Sequence, residues 1–140
     1  MSLAMVSAVK VHALTFTDCP IFWPNETIAK PTDANGNPTP FVLADFTTLR
    51  SEIIAIGAGP GTHALRDDGF IRFHIFVPEN TGLDMALGLA DTLATLFRGI
   101  APITGLQTLA PSPPDSGAQS DDGLYYGVSF SVPYYYLYQG

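Results

Sequence analysis

Leu124-Tyr-Tyr-Gly-Val-Ser-Phe-Ser-Val-Pro-Tyr-Tyr-Tyr-Leu-Tyr138 alternates along its whole length. Leu124, Tyr126, Val128, Phe130, Val132, Tyr134, Tyr136 and Tyr138 fall on one face. Tyr125, Gly127, Ser129, Ser131, Pro133, Tyr135 and Leu137 fall on the other. A period of two is the mark of a strand, because successive side chains leave a pleated backbone on opposite sides. Pro133 brings no N–H, which predicts an edge or a bend in the later part of this strand. Tyr134, Tyr135, Tyr136 and Tyr138 place aromatic surface on both faces. A core accounts for one face only. Tyrosine on the second favours a protein interface, the alternative being cover by a helix of the same subunit.

Working back along the chain, Phe70 to Val77 alternates in the same way. Ile71, Phe73, Ile75 and Val77 share one side; Phe70, Arg72, His74 and Phe76 share the other. The second side is neither core nor solvent in character and suits a helix or a neighbouring subunit. Asp67-Asp68-Gly69 predicts a turn into this strand, and Gly57-Ala-Gly-Pro-Gly61 ends the one before it. That earlier strand, Phe41 to Ile56, changes parity within its length, as a bulge would make it do. Gly82 to Arg98 is the clearest helix, with Ala86, Leu89, Ala90, Leu93, Leu96 and Phe97 as its apolar stripe. Thr81 is a candidate cap, and Asp84 and Arg98 suit the two ends of the helix dipole. Residues 3–14 fit a short helix with Leu3, Val6 and Val9 in line. Ile21 to Trp23, bracketed by prolines, predicts a short edge strand or packed loop. Residues 31–40 form a loop with an Asn35-Gly36 turn, Ile103 to Ala110 a strand, and Pro111 to Gly123 a loop. The series predicts an α+β domain spanning residues 1–140. Its antiparallel sheet has about four main strands, helices packed on one face, and long inter-strand loops.

The composition narrows function further. The chain has 140 residues, enough for one core. Six Lys and Arg stand against thirteen Asp and Glu, a net charge of -7. Nucleic-acid binders need a basic footprint, and polybasic membrane anchors need a basic cluster. Neither is present. Only 14% of residues are charged, against about 25% in an ordinary domain. So few charges suit a chain whose surface is covered in an assembly. No apolar run approaches a membrane span, and no leader pattern precedes the first helix, so a soluble intracellular protein is expected. Cys19 is the only cysteine, which excludes an intrachain disulfide and a multi-thiolate zinc site.

The candidate chemistry is thin. Gly57 to Gly61 lacks the Lys and Ser or Thr of a phosphate loop, and a strand follows where a helix is needed. His12, His63, His74 and Cys19 show no metal spacing. Cys19 serves as a nucleophile only if the fold brings a histidine to it; a buried small hydrophobe is the plainer reading. Asp67, Asp68, Asp121 and Asp122 suit turns before glycine as well as they suit an ion. No catalytic, cofactor or metal residue is assigned.

The ordered series resembles the tail terminator, or tail completion, proteins of long-tailed bacteriophages. It runs from a short helix to Phe22-Trp23-Pro24-Asn25, then a proline-rich loop and a long strand. Arg66-Asp67-Asp68-Gly69-Phe70 leads into Phe73-His74-Ile75-Phe76-Val77-Pro78. Gly82 opens a helix bearing Leu89-Ala90-Asp91 and Leu96-Phe97, and Asp122-Gly123-Leu124-Tyr125-Tyr126 starts the last strand. The resemblance spans about residues 3–137. It implies a non-enzymatic virion structural protein without a cofactor, assembled in the host cytoplasm and placed at the head-proximal end of the tail. Such proteins form a ring, usually a homo-hexamer. The ring sits on the last tail-tube ring, stops polymerisation and offers the head–tail connector its joining surface. DNA passes through the lumen without sequence-specific binding, and no membrane is involved. Ring closure makes the interface heterologous. Loops 57–69 and 111–123 become candidates for axial contacts, and Arg66 and Arg72 candidates for pairing with carboxylates across subunits. The interface candidates are Arg66, Asp67, Asp68, Arg72, His74, Tyr134, Tyr135 and Tyr136. A connector subunit, a tube protein, and a small α+β enzyme or ligand-binding domain are the alternatives.

Overall fold

The computed structural model describes residues 2–119 and 123–140. Helix α1 spans Leu3–Ala13, strand β1 Ile21–Phe22, β2 Phe41–Ala55 and β3 Ala64–Pro78. Helix α2 spans Leu83–Phe97 and is followed by β4 Leu106–Thr108, β5 Asp115–Gln119 and β6 Tyr125–Gln139. The fold is α+β. Among the described residues the sheet has six strands rather than about four and runs β1-β2-β3-β6-β4, with β5 also paired to β6. It is mixed: β1 lies parallel to β2, and the other pairs are antiparallel.

Three long strands carry the sheet. Ile71, Phe73, Ile75 and Val77 of β3 are fully buried, as are Val128 and Val132 of β6. They form one cluster with Met5, Val9 and Ala13 of α1 and Ala86, Ala90, Leu93 and Phe97 of α2. Both helices therefore cover the same sheet face. Burying each large apolar side chain here stabilises the fold by about 1.5–3 kcal/mol. The two helices also meet directly: His12 Nε2 lies 2.8 Å from the Leu96 carbonyl, and its ring stands edge-on to Phe97.

In α1 the buried stripe is Met5, Val9 and Ala13, spaced by four. The line through Leu3 predicted from spacings of three is not the core stripe: Leu3 is exposed. Ser2 caps this helix by accepting the Met5 N–H. In α2 the predicted stripe holds, but Thr81 does not cap. Its hydroxyl donates to the Pro78 carbonyl, and Gly82, at φ 79°, occupies the cap position.

The parity change in β2 is a bulge. Thr48 pairs with Gly69, then Arg50 with Asp68, leaving Leu49 as the extra residue. Asp67-Asp68-Gly69 does not turn; it lies inside β3, which starts at Ala64. The carboxylates find partners there, as described below, so the turn signal is overridden. Gly69 is needed for space: a Cβ would stand 2.4 Å from the Thr47 carbonyl oxygen and 2.7 Å from the Tyr134 hydroxyl.

Pro133 lies in an interior strand, not an edge one. Its carbonyl accepts the Leu109 N–H on the side away from β3, at the gap between the residues paired to β5 and those paired to β4. Its missing donor therefore costs the β3–β6 ladder nothing. The segment 103–110 contributes only Leu106–Thr108, and the predicted loop 111–123 contains β5. No helix among the described residues is long and apolar enough to cross a membrane.

Candidate assembly surface

Beyond the two helices the sheet continues as an arm. Its strands are Thr48–Ala55 of β2, Ala64–Gly69 of β3 and Tyr134–Gln139 of β6, paired except at the bulged residues Leu49 and Ile54. β1 accompanies β2 only at Val42 and Leu43. From Ala44 to Ala55 the outer edge of β2 has no strand partner among the described residues. Leu49 is 60% exposed, Ile53 55%, Ile54 51% and Ile56 85%. Three large aliphatic side chains along one open edge, with Ile56 just past its end, are an invitation to pairing with another chain.

One face of the arm is charged. Arg66 Nη2 lies 3.1 Å from Asp68 Oδ1, and Arg50 Nε lies 3.2 Å from Asp68 Oδ2. Arg50 also stands 3.8 Å from Glu52. The Arg66 guanidinium stacks over Tyr135 at 4.5 Å. Arg66, then Arg50, hold the Asp68 carboxyl below the usual carboxylate range. On the opposite face the Tyr138 hydroxyl donates to Asp67, and the Tyr136 and Tyr138 rings stack 5.1 Å apart.

These positions sort the sequence candidates. Arg66, Asp68 and Tyr135 come together on the charged face of the arm, with Arg72 exposed further along β3. Tyr136 is half-buried on the other face. Two candidates are corrected. Tyr134 is 2% exposed and Asp67 7%. Both are enclosed by their own chain, because the strand pairing of β3 and β6 continues past the helices and packs Tyr134 over Gly69. Neither offers surface to a neighbour. The residues sequence reading missed are Leu49, Ile53, Ile54 and Ile56. The signal was present in the parity change of β2, which shows that no single face of this strand is core throughout.

His74 belongs to a different cluster. Its Nδ1 lies 2.7 Å from Ser129 Oγ, and its Nε2 3.5 Å from Asp45 Oδ2. The three residues sit side by side on β3, β6 and β2. The composition is that of a hydrolytic triad, but Ser129 lies within an interior strand paired to β3 and β5. Its neighbouring amides lie in the ladder, and among the described residues no turn or helix N-terminus beside it supplies the convergent donors that acyl transfer needs. The cluster cross-braces three strands. His63 Nδ1 accepts the Gly57 N–H, closing the β2–β3 loop.

Cys19 is buried, with its thiol pushed up to about 11 by burial first and by Asp18 second. A thiol so protonated is a poor nucleophile. Among the described residues no three His, Cys, Asp or Glu side chains gather as metal ligands. Asp121 and Asp122, read with Asp67 and Asp68 as candidate carboxylate ligands for an ion, lie outside the described residues.

No protein-family model matches the chain, and no curated protein matches it. Solved structures do: 22 chains match. One of them, whose label names no function, superposes with a TM-score of 0.60 at 18% identity, covering 99% of this chain and 97% of its own. That likeness is one of fold.

Proposed function

We propose that this chain is a ring-forming virion protein of a long-tailed phage. Its ring, a hexamer of identical subunits, caps the tail tube, ends tube polymerisation and offers the head–tail connector a joining surface. The observation that supports this reading is the uncovered arm. A subunit that leaves Leu49, Ile53 and Ile54 in water on an unpaired sheet edge, and Ile56 just past it, is incomplete alone. Charge supports it as well. The β2–β3 hairpin carries Arg50, Arg66 and Arg72 against Asp45, Glu52, Asp67 and Asp68, and is close to neutral. The remaining nine carboxylates and three cations lie elsewhere. Copies therefore meet most easily at the arm, while the acidic remainder keeps passing DNA from binding. The head-proximal end of the tail, reached after assembly in the host cytoplasm, is the place this role requires.

Electron microscopy of the purified protein with polymerising tail-tube subunits tests the reading. Rings on one end of each tube, with tube growth halted, are expected. Tubes that lengthen without a terminal ring would overturn it.

A further inference from the structure

We infer that the arm pairs with the same arm of a second copy, β2 against β2, antiparallel and across a two-fold axis at Ser51. The argument rests on Leu49-Arg50-Ser51-Glu52-Ile53, which is chemically self-complementary when reversed. With Ser51 opposite Ser51, Arg50 stands opposite Glu52 of the second copy, and Glu52 opposite its Arg50. The bulged Leu49 and Ile53 flank these pairs. All five residues are exposed, and this stretch of the β2 edge has no strand partner among the described residues.

Geometry and charge agree on this register. Arg50 and Glu52 pair with Asp68 and Arg66 across the ladder, which places both on the charged face of the arm. Continuing the sheet across a two-fold keeps that face on one side. The contact then joins two oppositely charged pairs on the charged face of the arm. A register shifted by one residue breaks every one of these pairs and puts charged against aliphatic side chains. The side chains of Arg50 and Glu52 are 63% and 43% exposed, so a partner can reach both. An isologous contact of this kind is satisfied in a dimer and covers the open β2 edge of both copies.

The two-fold contact does not rest on the ring. A ring needs head-to-tail contacts between different faces, whereas this one uses a single surface twice. It describes the chain in solution, before any ring closes, with its aggregation-prone edge covered.

Sedimentation equilibrium with charge-reversed variants tests the pairing. Arg50→Glu and Glu52→Arg each place two like-charge pairs in the homodimer and are expected to weaken it about tenfold or more. Mixing the two variants restores opposite charges at both pairs, so the mixture is expected to recover wild-type association to within about threefold. Mixed variants that stay as weak as each alone, or a wild-type chain that stays monomeric, would overturn the proposal. Cross-linking gives a readout free of these charge changes. Ser51→Cys places two thiols on the axis, within disulfide reach, and is expected to form a covalent dimer under mild oxidation. Arg50→Cys opposes position 52 and is expected not to. Equal cross-linking at both positions, or at neither, would contradict the register. Tube-capping microscopy reads the ring separately, so failure of one claim is distinguishable from failure of the other.

Discussion

The buried Thr108 hydroxyl donates to the Phe97 carbonyl, the last residue of α2. The same oxygen accepts the Ile100 N–H at 2.9 Å, and the Thr108 N–H donates to the Ile100 carbonyl at 2.8 Å. A strand of three residues thus closes the C-terminal end of the main helix, where the last carbonyls would otherwise lack partners. This explains why a short element matters: β4 couples α2 to β6 through one fully buried hydroxyl.

Replacing Thr108 with Val keeps the shape and removes that hydroxyl. The Ile100 N–H and Phe97 carbonyl lose their partner in the interior, a loss of about 1–3 kcal/mol. Urea denaturation should show a lower midpoint with an unchanged slope, and Thr108→Ser should recover much of the difference.

Gly69→Ala should be costly although glycine usually weakens a strand. The added Cβ meets the Thr47 backbone oxygen and the Tyr134 hydroxyl, and the backbone atom has no rotamer by which to yield. Overpacking of this kind costs about 1–3 kcal/mol. A fall in melting temperature larger than that of Gly59→Ala, where a Cβ meets nothing, is the expected result.

Asp68 makes stability depend on pH in a defined direction. Its folded carboxyl titrates below its unfolded value because Arg66 and Arg50 hold the charged form. The contribution is complete above the unfolded carboxylate pKa of about 3.9 and is lost as pH falls through the lower folded value. Asp68→Asn removes that contribution. The variant should lose less stability than the wild type between about pH 6 and about pH 3, measured by urea midpoints at each pH.

Much of this architecture is legible in the chain. The alternation from Leu124 to Tyr138 marks β6, and the stripe from Ala86 to Phe97 marks α2, because each is long and regular. The parity break in β2 reads directly as a bulge. The start of β3 is not legible. Asp67, Asp68 and Gly69 are turn formers locally, and it is Arg50 and Tyr138, brought from elsewhere, together with the neighbouring Arg66, that partner them within the strand. β5 is hidden for a similar reason: Asp115-Ser-Gly-Ala-Gln119 has little strand propensity and is ordered by pairing with β6. Burial of Tyr134 could not be told from its face alone, since Tyr136 and Tyr138 share that face and are only half-buried.

The central claim is that copies of this chain cover the β2–β3 arm. Hydrogen exchange read by mass spectrometry, comparing dilute protein with self-associated protein, measures this most directly. The account predicts slowed exchange in peptides spanning residues 47–56, with little change in peptides from α1 and α2. Exchange at 47–56 that is the same in both states, with any protection confined to the helices, would contradict it.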